Sequence, residues 1–412
     1  MTTERLTAFA VAAREILMNR RGALIALCHD LVQARSVNPP GDTREVAGVV
    51  VSALESFGIH AEMVSKDESM PSVLARIDSG KPGRHLVHNV HLDTMPAGDE
   101  SLWSVDPYTM TRKGGKLFGL GMGNMKGSVA AMVHAFAILN EQRDWWSGSI
   151  TFTAVSDEVV FGLHGAAHLI ETHPELLADG LICGEGPGFR RLSIAEKGVL
   201  WLAIEATGEP GHSSSVRPMK SASAKLAAIV QRIDQVTGTR SALPDELEPL
   251  FPADDPGREL SANVGTIQAG SFIGQVATSG TIEVDLRVPP GMTIDHVEHT
   301  VTQMASEIPG LTVRRIKGWN PSWTAPDTDL CQAWHSAEAA LSEQASSYAI
   351  RLPASDASRW RAHGVPALCF GPQPGLSAGI DDYAEEDEVI RAAELFAVAS
   401  VEFLRRNKSL TD

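Results

Sequence analysis

The chain has 412 residues, of which 43% are hydrophobic and 21% charged, and it carries a formal net charge of -16 at neutral pH. This length exceeds one ordinary hydrophobic core and predicts about two domains. The acidic balance and the scattered lysines and arginines exclude a basic surface for nucleic acid, and no apolar run approaches the ~20 residues of a membrane span. We therefore expect neither a nucleic-acid partner nor a membrane partner.

The cysteines and the N-terminal residues indicate the cellular compartment. The cysteines lie far apart and form no C-x-x-C pair, which argues against a disulfide framework and a zinc-thiolate site. The N-terminal run mixes charged residues into its apolar positions and lacks the pattern of a signal peptide. We expect a cytoplasmic protein.

The first half of the chain alternates helical and strand patterns. Apolar residues recur at spacings of three and four over residues 7–34 and 43–57, which predicts helices, and a further helix is predicted over 126–140. Short apolar runs between these helices read as buried strands. This alternation favours a largely parallel sheet covered by helices on both faces.

Three of the predicted strands end in residues that can carry chemistry. The run LVHNV delivers His91 and Asp93, SITFTAV leads to Glu158, and GLIC leads to Glu185. Open α/β sheets bind their ligands at the C-terminal ends of the strands. We therefore expect these four side chains to share one cleft.

The order of predicted strands and helices changes at residue 195. Residues 195–317 read as strand, helix, two strands, helix and strand, which is the order of a ferredoxin-like module. Residues 318–412 resume the style of the first part, so the chain reads as a first domain, 1–194 with 318–412, interrupted by an inserted one. The predicted fold class is α/β: a mixed, largely parallel sheet covered by helices, with an inserted ferredoxin-like α+β domain.

The stretch from His91 to Gly127 carries a resemblance to a known family. It contains His-x-Asp, then Pro-x-Gly, Trp103 and the Gly-rich turn GLGMGNMKG. This order resembles the M20 family of metallopeptidases and amidohydrolases, which includes carboxypeptidases, acetylornithine deacetylases and succinyl-diaminopimelate desuccinylases. The resemblance implies hydrolysis of amide bonds, a two-zinc site in the interrupted domain, and a lid or dimerisation role for the inserted domain.

Several metal positions implied by the resemblance carry other residues. The first ion would be held by His91, Glu185 and a bridging Asp, whose position is occupied by Asn124. The second ion would need a Glu and a His at the positions of Val159 and Ala378. A neutral amide oxygen is a weak zinc ligand. We expect the second site to be lost, and the protein to bind no metal or at most one weakly held divalent ion, zinc or manganese.

The catalytic and substrate-binding roles also follow from the resemblance. Glu158 matches the general base, and Asp93 matches the carboxylate that orients His91, so these three form the predicted catalytic set. His212 and Arg287 match a lid histidine that acts across a homodimer and an arginine that clamps the substrate carboxylate. With Asn124 they form the predicted substrate-binding set.

Three functions remain open from the sequence. The first is an M20-like hydrolase that acts on an amide or related C–N bond of a small, carboxylate-bearing, amino-acid-like substrate. With the two-zinc site lost or reduced, it would work without metal and use Glu158 as general base. The second is a metal-free lyase or isomerase that removes a proton next to a carbonyl. The third is a binding relative without catalysis.

Overall fold

The computed structural model describes residues 3–374 and 379–406. Contact clustering divides the chain into two compact units. The first comprises residues 1–194, 324–349 and 355–412, and the second 195–323 and 350–354. The sequence placed the end of the inserted segment at residue 317, whereas the second unit extends to Trp323 and includes a short later segment. That later segment is tied in by a backbone hydrogen bond from Lys197 to Arg351.

The described residues contain nine α-helices and sixteen β-strands. The helices are α1 Thr3–Gln33, α2 Arg44–Ser56, α3 Gly127–Glu141, α4 Ala166–Thr172, α5 Ala222–Asp234, α6 Ile294–Ser306, α7 Asp329–Ala340, α8 Ala357–Arg361 and α9 Glu386–Arg405. The strands are β1 Ala61–Val64, β2 Ser72–Asp78, β3 His85–His91, β4 Thr111–Lys113, β5 Lys116–Phe118, β6 Ser149–Val155, β7 Gly180–Cys183, β8 Arg191–Glu196, β9 Gly198–Thr207, β10 Ser261–Ala269, β11 Ser279–Val288, β12 Leu311–Trp319, β13 Ser322–Trp323, β14 Ser347–Arg351, β15 Ala367–Cys369 and β16 Tyr383–Glu385. None of these helices is both long enough and apolar enough to cross a membrane.

The main sheet has a parallel centre and antiparallel edges. Its strand order is β1-β2-β6-β3-β7-β15-β8, in which β6, β3, β7 and β15 run parallel. Strands β6 and β7 are buried at every residue, as expected for parallel strands covered on both faces. The fold class predicted from the sequence is confirmed for this sheet, although β2 was missed.

The structure contains one hairpin that the sequence analysis did not predict. Strands β4 and β5 pair antiparallel across Gly114 and Gly115, whose φ angles are 61° and 79°. Two successive positive φ angles define the tight turn that suits a two-residue hairpin, and glycine adopts them without steric cost. The Gly-Gly pair between β-forming residues was the signal for this hairpin.

The second unit contains a four-stranded antiparallel sheet with two helices. Its strand order is β10-β11-β9-β12, and α5 and α6 follow β9 and β11 along the chain. This is the ferredoxin-like arrangement predicted from the pattern. Its core is formed by the inward-facing residues of the four strands and the apolar faces of both helices.

Helix α3 covers the face of the main sheet opposite to His91. The run from Gly127 to Leu139 is buried throughout, and α3 packs against α9. On β3, His88 points to these helices: its Nε2 lies 2.7 Å from Ser400 Oγ, and its ring contacts Phe136 edge-on. His91, three residues later, points to the other face, because strand side chains alternate.

The buried ring of His88 should make stability depend on pH. Burial lowers the pKa of His88 from 6.5 to about 3. The stability contributed by the neutral ring is therefore present above about pH 6.5 and is lost as pH falls below it, because the unfolded chain binds the proton first. This loss is roughly 2 kcal/mol by about pH 5. His88→Phe should lose less unfolding free energy than the parent between about pH 7 and about pH 5 in urea titrations.

The control for this change is His60→Phe, since His60 is exposed. That variant should keep the pH dependence of the parent. An identical pH dependence for His88→Phe and the parent would contradict the assignment.

Candidate active site

Parallel pairing brings three chemistry-bearing strand ends to one edge of the main sheet. Strand β3 lies between β6 and β7, with His91 opposite Val155 and Asn89 opposite Cys183. Glu158 follows the end of β6 by three residues, and Glu185 follows the end of β7 by two. The sheet therefore places their side chains around His91.

The resulting cluster is compact and buried. One ligand atom each from His91, Glu158 and Glu185 lies within 4.8 Å of the other two, and all three residues are buried. His91 Nε2 is 3.8 Å from Glu158 Oε2. The geometry thus joins the residues that the sequence predicted as catalytic and metal-ligating.

Asp93 holds the other side of the His91 ring. His91 Nδ1 lies 2.9 Å from the Asp93 carbonyl oxygen and 3.6 Å from its Oδ1. The Asp93 carboxylate accepts hydrogen bonds from the backbone N–H groups of Glu158, at 3.2 Å, and Val159, at 3.0 Å. One buried carboxylate therefore links β3 to the turn that carries Glu158.

Asn124 reaches the cluster from a Gly-rich turn. Its Oδ1 is 3.4 Å from His91 Nε2, and the peptide bond between Asn124 and Met125 is cis. The buried Asp382 carboxylate accepts from the N–H groups of Gly121 and Gly123 and so fixes the turn. A Cβ on Gly121 would lie 2.5 Å from Thr94 Cγ2, which explains the glycine.

The pKa values in the cluster are shifted because several carboxylates lie close together and are buried. Burial raises the pKa of Glu158 well above its usual range, and the neighbouring Glu185 carboxylate raises it further. For His91, burial lowers the pKa, but Glu158, Asp93 and Glu185 outweigh it and raise the value to about 10. The pKa of Asp93 is lowered, because hydrogen bonds and the His91 charge outweigh burial. The site thus favours a cation among its carboxylates.

A fourth carboxylate, Asp356, belongs to the same electrostatic group. Burial raises its pKa to about 6 despite the opposing charges of Arg359 and His91. Asn89 donates to its Oδ2 at 3.3 Å, and Thr153 donates to the Asn89 Oδ1 at 2.8 Å. The structure thus places Asp356 beside the cluster.

The predicted substrate-binding residues His212 and Arg287 lie in the second unit. His212 is exposed, and its Nδ1 lies 2.8 Å from Ser214 Oγ. Arg287 lies on β11 and donates from Nε and one terminal nitrogen to Asp285 Oδ2, at 3.1 and 2.8 Å. Their roles toward a substrate stay predictions.

The donor atoms of the described residues fit one divalent ion. A ring nitrogen and two carboxylate oxygens are ligands that zinc prefers, and His91, Glu158 and Glu185 bring such atoms together. Asn124 adds only a neutral amide oxygen. Val159 has no donor atom in its side chain, and the position expected for a further ligand, Ala378, lies outside the described residues.

Three polar residues of the site were not identified from the sequence. Asn38 donates to Asp93, Asn89 donates to Asp356, and Asp382 fixes the Gly-rich turn. Asn38 precedes two prolines and reads only as a helix end. A buried polar residue inside the apolar run LVHNV was the available signal for Asn89, because such residues need hydrogen-bond partners.

Comparison with known proteins identifies a family that matches most of the chain. The family model of Peptidase family M20/M25/M40 matches residues 87–400. A probable succinyl-diaminopimelate desuccinylase of Staphylococcus aureus is 25% identical over 406 residues, covering 92% of this chain and 97% of the relative. An acetylornithine deacetylase of Proteus mirabilis is 29% identical over 276 residues, covering 66% and 67%.

Solved structures show the same fold at low sequence identity. An M20 family metallo-carboxypeptidase from Sulfolobus solfataricus matches with a TM-score of 0.73 and 15% identity, covering 92% of this chain and 99% of that one. A dinuclear metal binding peptidase of the M20 family from Bacillus subtilis matches with a TM-score of 0.69 and 14% identity, covering 94% and 99%. With its family match over most of its length, this chain belongs to the peptidase family M20/M25/M40.

Proposed function

We propose that this protein hydrolyses the amide bond of a small, carboxylate-bearing, amino-acid-like substrate, and that Glu158 is the general base. The observation that supports this proposal best is the buried carboxylate of Glu158, 3.8 Å from His91 Nε2 at the C-terminal edge of the sheet. A base in such a place can take a proton from a water molecule that attacks a carbonyl. Burial and the neighbouring Glu185 raise the pKa of Glu158, which makes its carboxylate a stronger base.

The proton balance of the reaction is simple. Glu158 takes one proton from water as the oxygen of that water bonds to the substrate carbonyl carbon. Glu158 then returns the proton to the leaving nitrogen as the C–N bond breaks, which yields a carboxylic acid and an amine, and the acid then passes its own proton to the amine or to water. Asp93 keeps the His91 ring and the Glu158 turn in place during both transfers.

We further propose that the site holds at most one divalent ion, on His91 and Glu185, and that the second ion of the family is lost. An ion there would polarise the substrate carbonyl and stabilise its developing negative charge. The support is the donor set: Val159 and Asn124 occupy positions where a pair of ions would require carboxylates. The proposal includes hydrolysis with no ion bound, which is what the sequence led us to expect.

The substrate class rests on the relatives and on Arg287. The named relatives are a deacetylase and a desuccinylase, whose names describe removal of acyl groups from amines. Arg287 presents a guanidinium that Asp285 already orients. We propose that Arg287 binds the substrate carboxylate and that His212, in a homodimer, donates to the carbonyl oxygen from the partner copy.

Replacing the proposed base tests the reaction directly. The parent is first assayed on N-acetyl and N-succinyl amino acids for amine release. Glu158→Gln should then lower kcat by about 100- to 10,000-fold on the best substrate, because a positioned base contributes that much. Circular dichroism should show an unchanged fold.

Glu394→Gln is the control for loss of a buried carboxylate elsewhere, since Glu394 on α9 pairs with Arg14 on α1. It should leave kcat close to that of the parent. An unchanged kcat in Glu158→Gln would contradict the role of Glu158 and leave the family assignment intact.

A second variant tests the carboxylate clamp. Arg287→Gln should raise KM about 10- to 100-fold for a substrate with a free carboxylate, because a charge-assisted hydrogen bond contributes about 1.5–3 kcal/mol. kcat should change little, since this contact is made equally in the ground state and the transition state.

The methyl ester of the same substrate provides the matched comparison, because it lacks the charge that Arg287 would bind. Its KM should be insensitive to the substitution. Arg240→Gln, which alters an arginine paired with Glu259 in the same unit, should leave both substrates unaffected. Equal losses for acid and ester would refute the clamp.

A further inference from the structure

Asp93 is fully buried and depends on three donors for its orientation. Its Oδ1 accepts from the backbone of Glu158, and its Oδ2 accepts from the backbone of Val159. The third donor is the side-chain amide of Asn38, whose Nδ2 lies 2.8 Å from Oδ2. This is the shortest of the three hydrogen bonds, and it comes from a different segment of the chain.

The segment that carries Asn38 is fixed along the end of β3. The backbone N–H of Asn38 donates to the carbonyl oxygen of Thr94 at 2.8 Å, and Thr94 donates back to Ser36 at 2.9 Å. Ser36 Oγ donates to the carbonyl oxygen of Leu92 at 2.7 Å. Asn38 is itself buried, so its amide has one defined environment.

The chemistry of that environment requires a donor at this position. Besides Asp93, the Asn38 amide nitrogen lies 3.4 Å from Asp157 Oδ1. Two carboxylates thus face the same nitrogen, and a carboxylate in its place would meet like charges. An apolar side chain of equal size would leave Asp93 with its backbone donors alone. Buried carboxylates are strongly destabilised by losing hydrogen bonds.

We propose that Asn38 is a positioning residue for the hydrolytic site. It acts through Asp93: its amide fixes the carboxylate that faces His91 Nδ1 and accepts from the turn carrying Glu158. Asn38 therefore sets the orientation of the His91 ring and the place of Glu158 at once. This role rests on the proposed function in so far as Glu158 is the base, but the geometry it controls can be observed without a substrate.

The test uses nuclear magnetic resonance of the ring nitrogens in protein labelled with nitrogen-15 histidine, compared among three variants. His91 is identified by the signals lost in His91→Gln. Asn38→Leu and Asn38→Asp should both shift the ring nitrogen signals of His91, with the larger change in Asn38→Asp because of the added negative charge. Ser36→Ala removes the hydrogen bond from Ser36 Oγ to the Leu92 carbonyl oxygen and leaves the hydrogen bond from Asn38 to Asp93 in place, so it should shift those signals less than either Asn38 variant.

Zinc binding and turnover provide the functional readout. In isothermal titration with zinc alone, Asn38→Leu should bind zinc about 10- to 100-fold more weakly than the parent, as is typical when a residue that orients a ligand is lost. If the parent binds no zinc, its kcat should fall by the same factor of about 10 to 100 in this variant. KM should change less than kcat. Ser36→Ala should keep both values near those of the parent.

The outcomes separate this proposal from the proposed function. Unshifted His91 signals in both Asn38 variants, or equal effects of Ser36→Ala and Asn38→Leu, would overturn the positioning role. Shifted signals in the Asn38 variants, with no amide hydrolysis by any form of the protein, would retain the positioning role and reject the hydrolase.

Discussion

The structure of the site depends on several buried carboxylates that surround one imidazole. Asp93, Glu158, Glu185 and Asp356 are buried, and the charges of the first three raise the pKa of His91 to about 10 despite its burial. Burying so much negative charge is unfavourable unless a cation or protons compensate it. A fold that needed only stability would fill this space with apolar side chains. The arrangement is therefore consistent with the proposed proton transfer and cation binding.

The topology of the main sheet brings these carboxylates together around His91. The parallel order β6-β3-β7 places three strand ends side by side, so residues distant in sequence meet without long loops. Asp93 then ties two of these ends together through the backbone of Glu158. In the proposed function, Asn124 and Val159 reduce the donors for metal ions while this scaffold keeps Glu158 and His91 in place.

The sequence was sufficient to predict the site residues that lie at the ends of strands. His91, Glu158 and Glu185 follow apolar runs, and such runs predict buried parallel strands whose ends meet. It did not reach Asn38 or Asp382, because each contacts the site from a loop whose path is set by tertiary contacts. The β4–β5 hairpin was missed because its strands are only three residues long. The placement of Arg287 beside Asp285 was within reach, since residues two apart on a strand share a face, but the sequence analysis did not use it.

The most direct measurement is the number of metal ions per chain. Protein purified without chelators would be equilibrated with excess zinc or manganese, freed of unbound ions and analysed by mass spectrometry. We expect at most one ion per chain, because His91 and Glu185, with the proposed base Glu158 beside them, form a single group of donors among the described residues. Two tightly held ions per chain would contradict the loss of the second site and would restore two-metal hydrolysis as the mechanism.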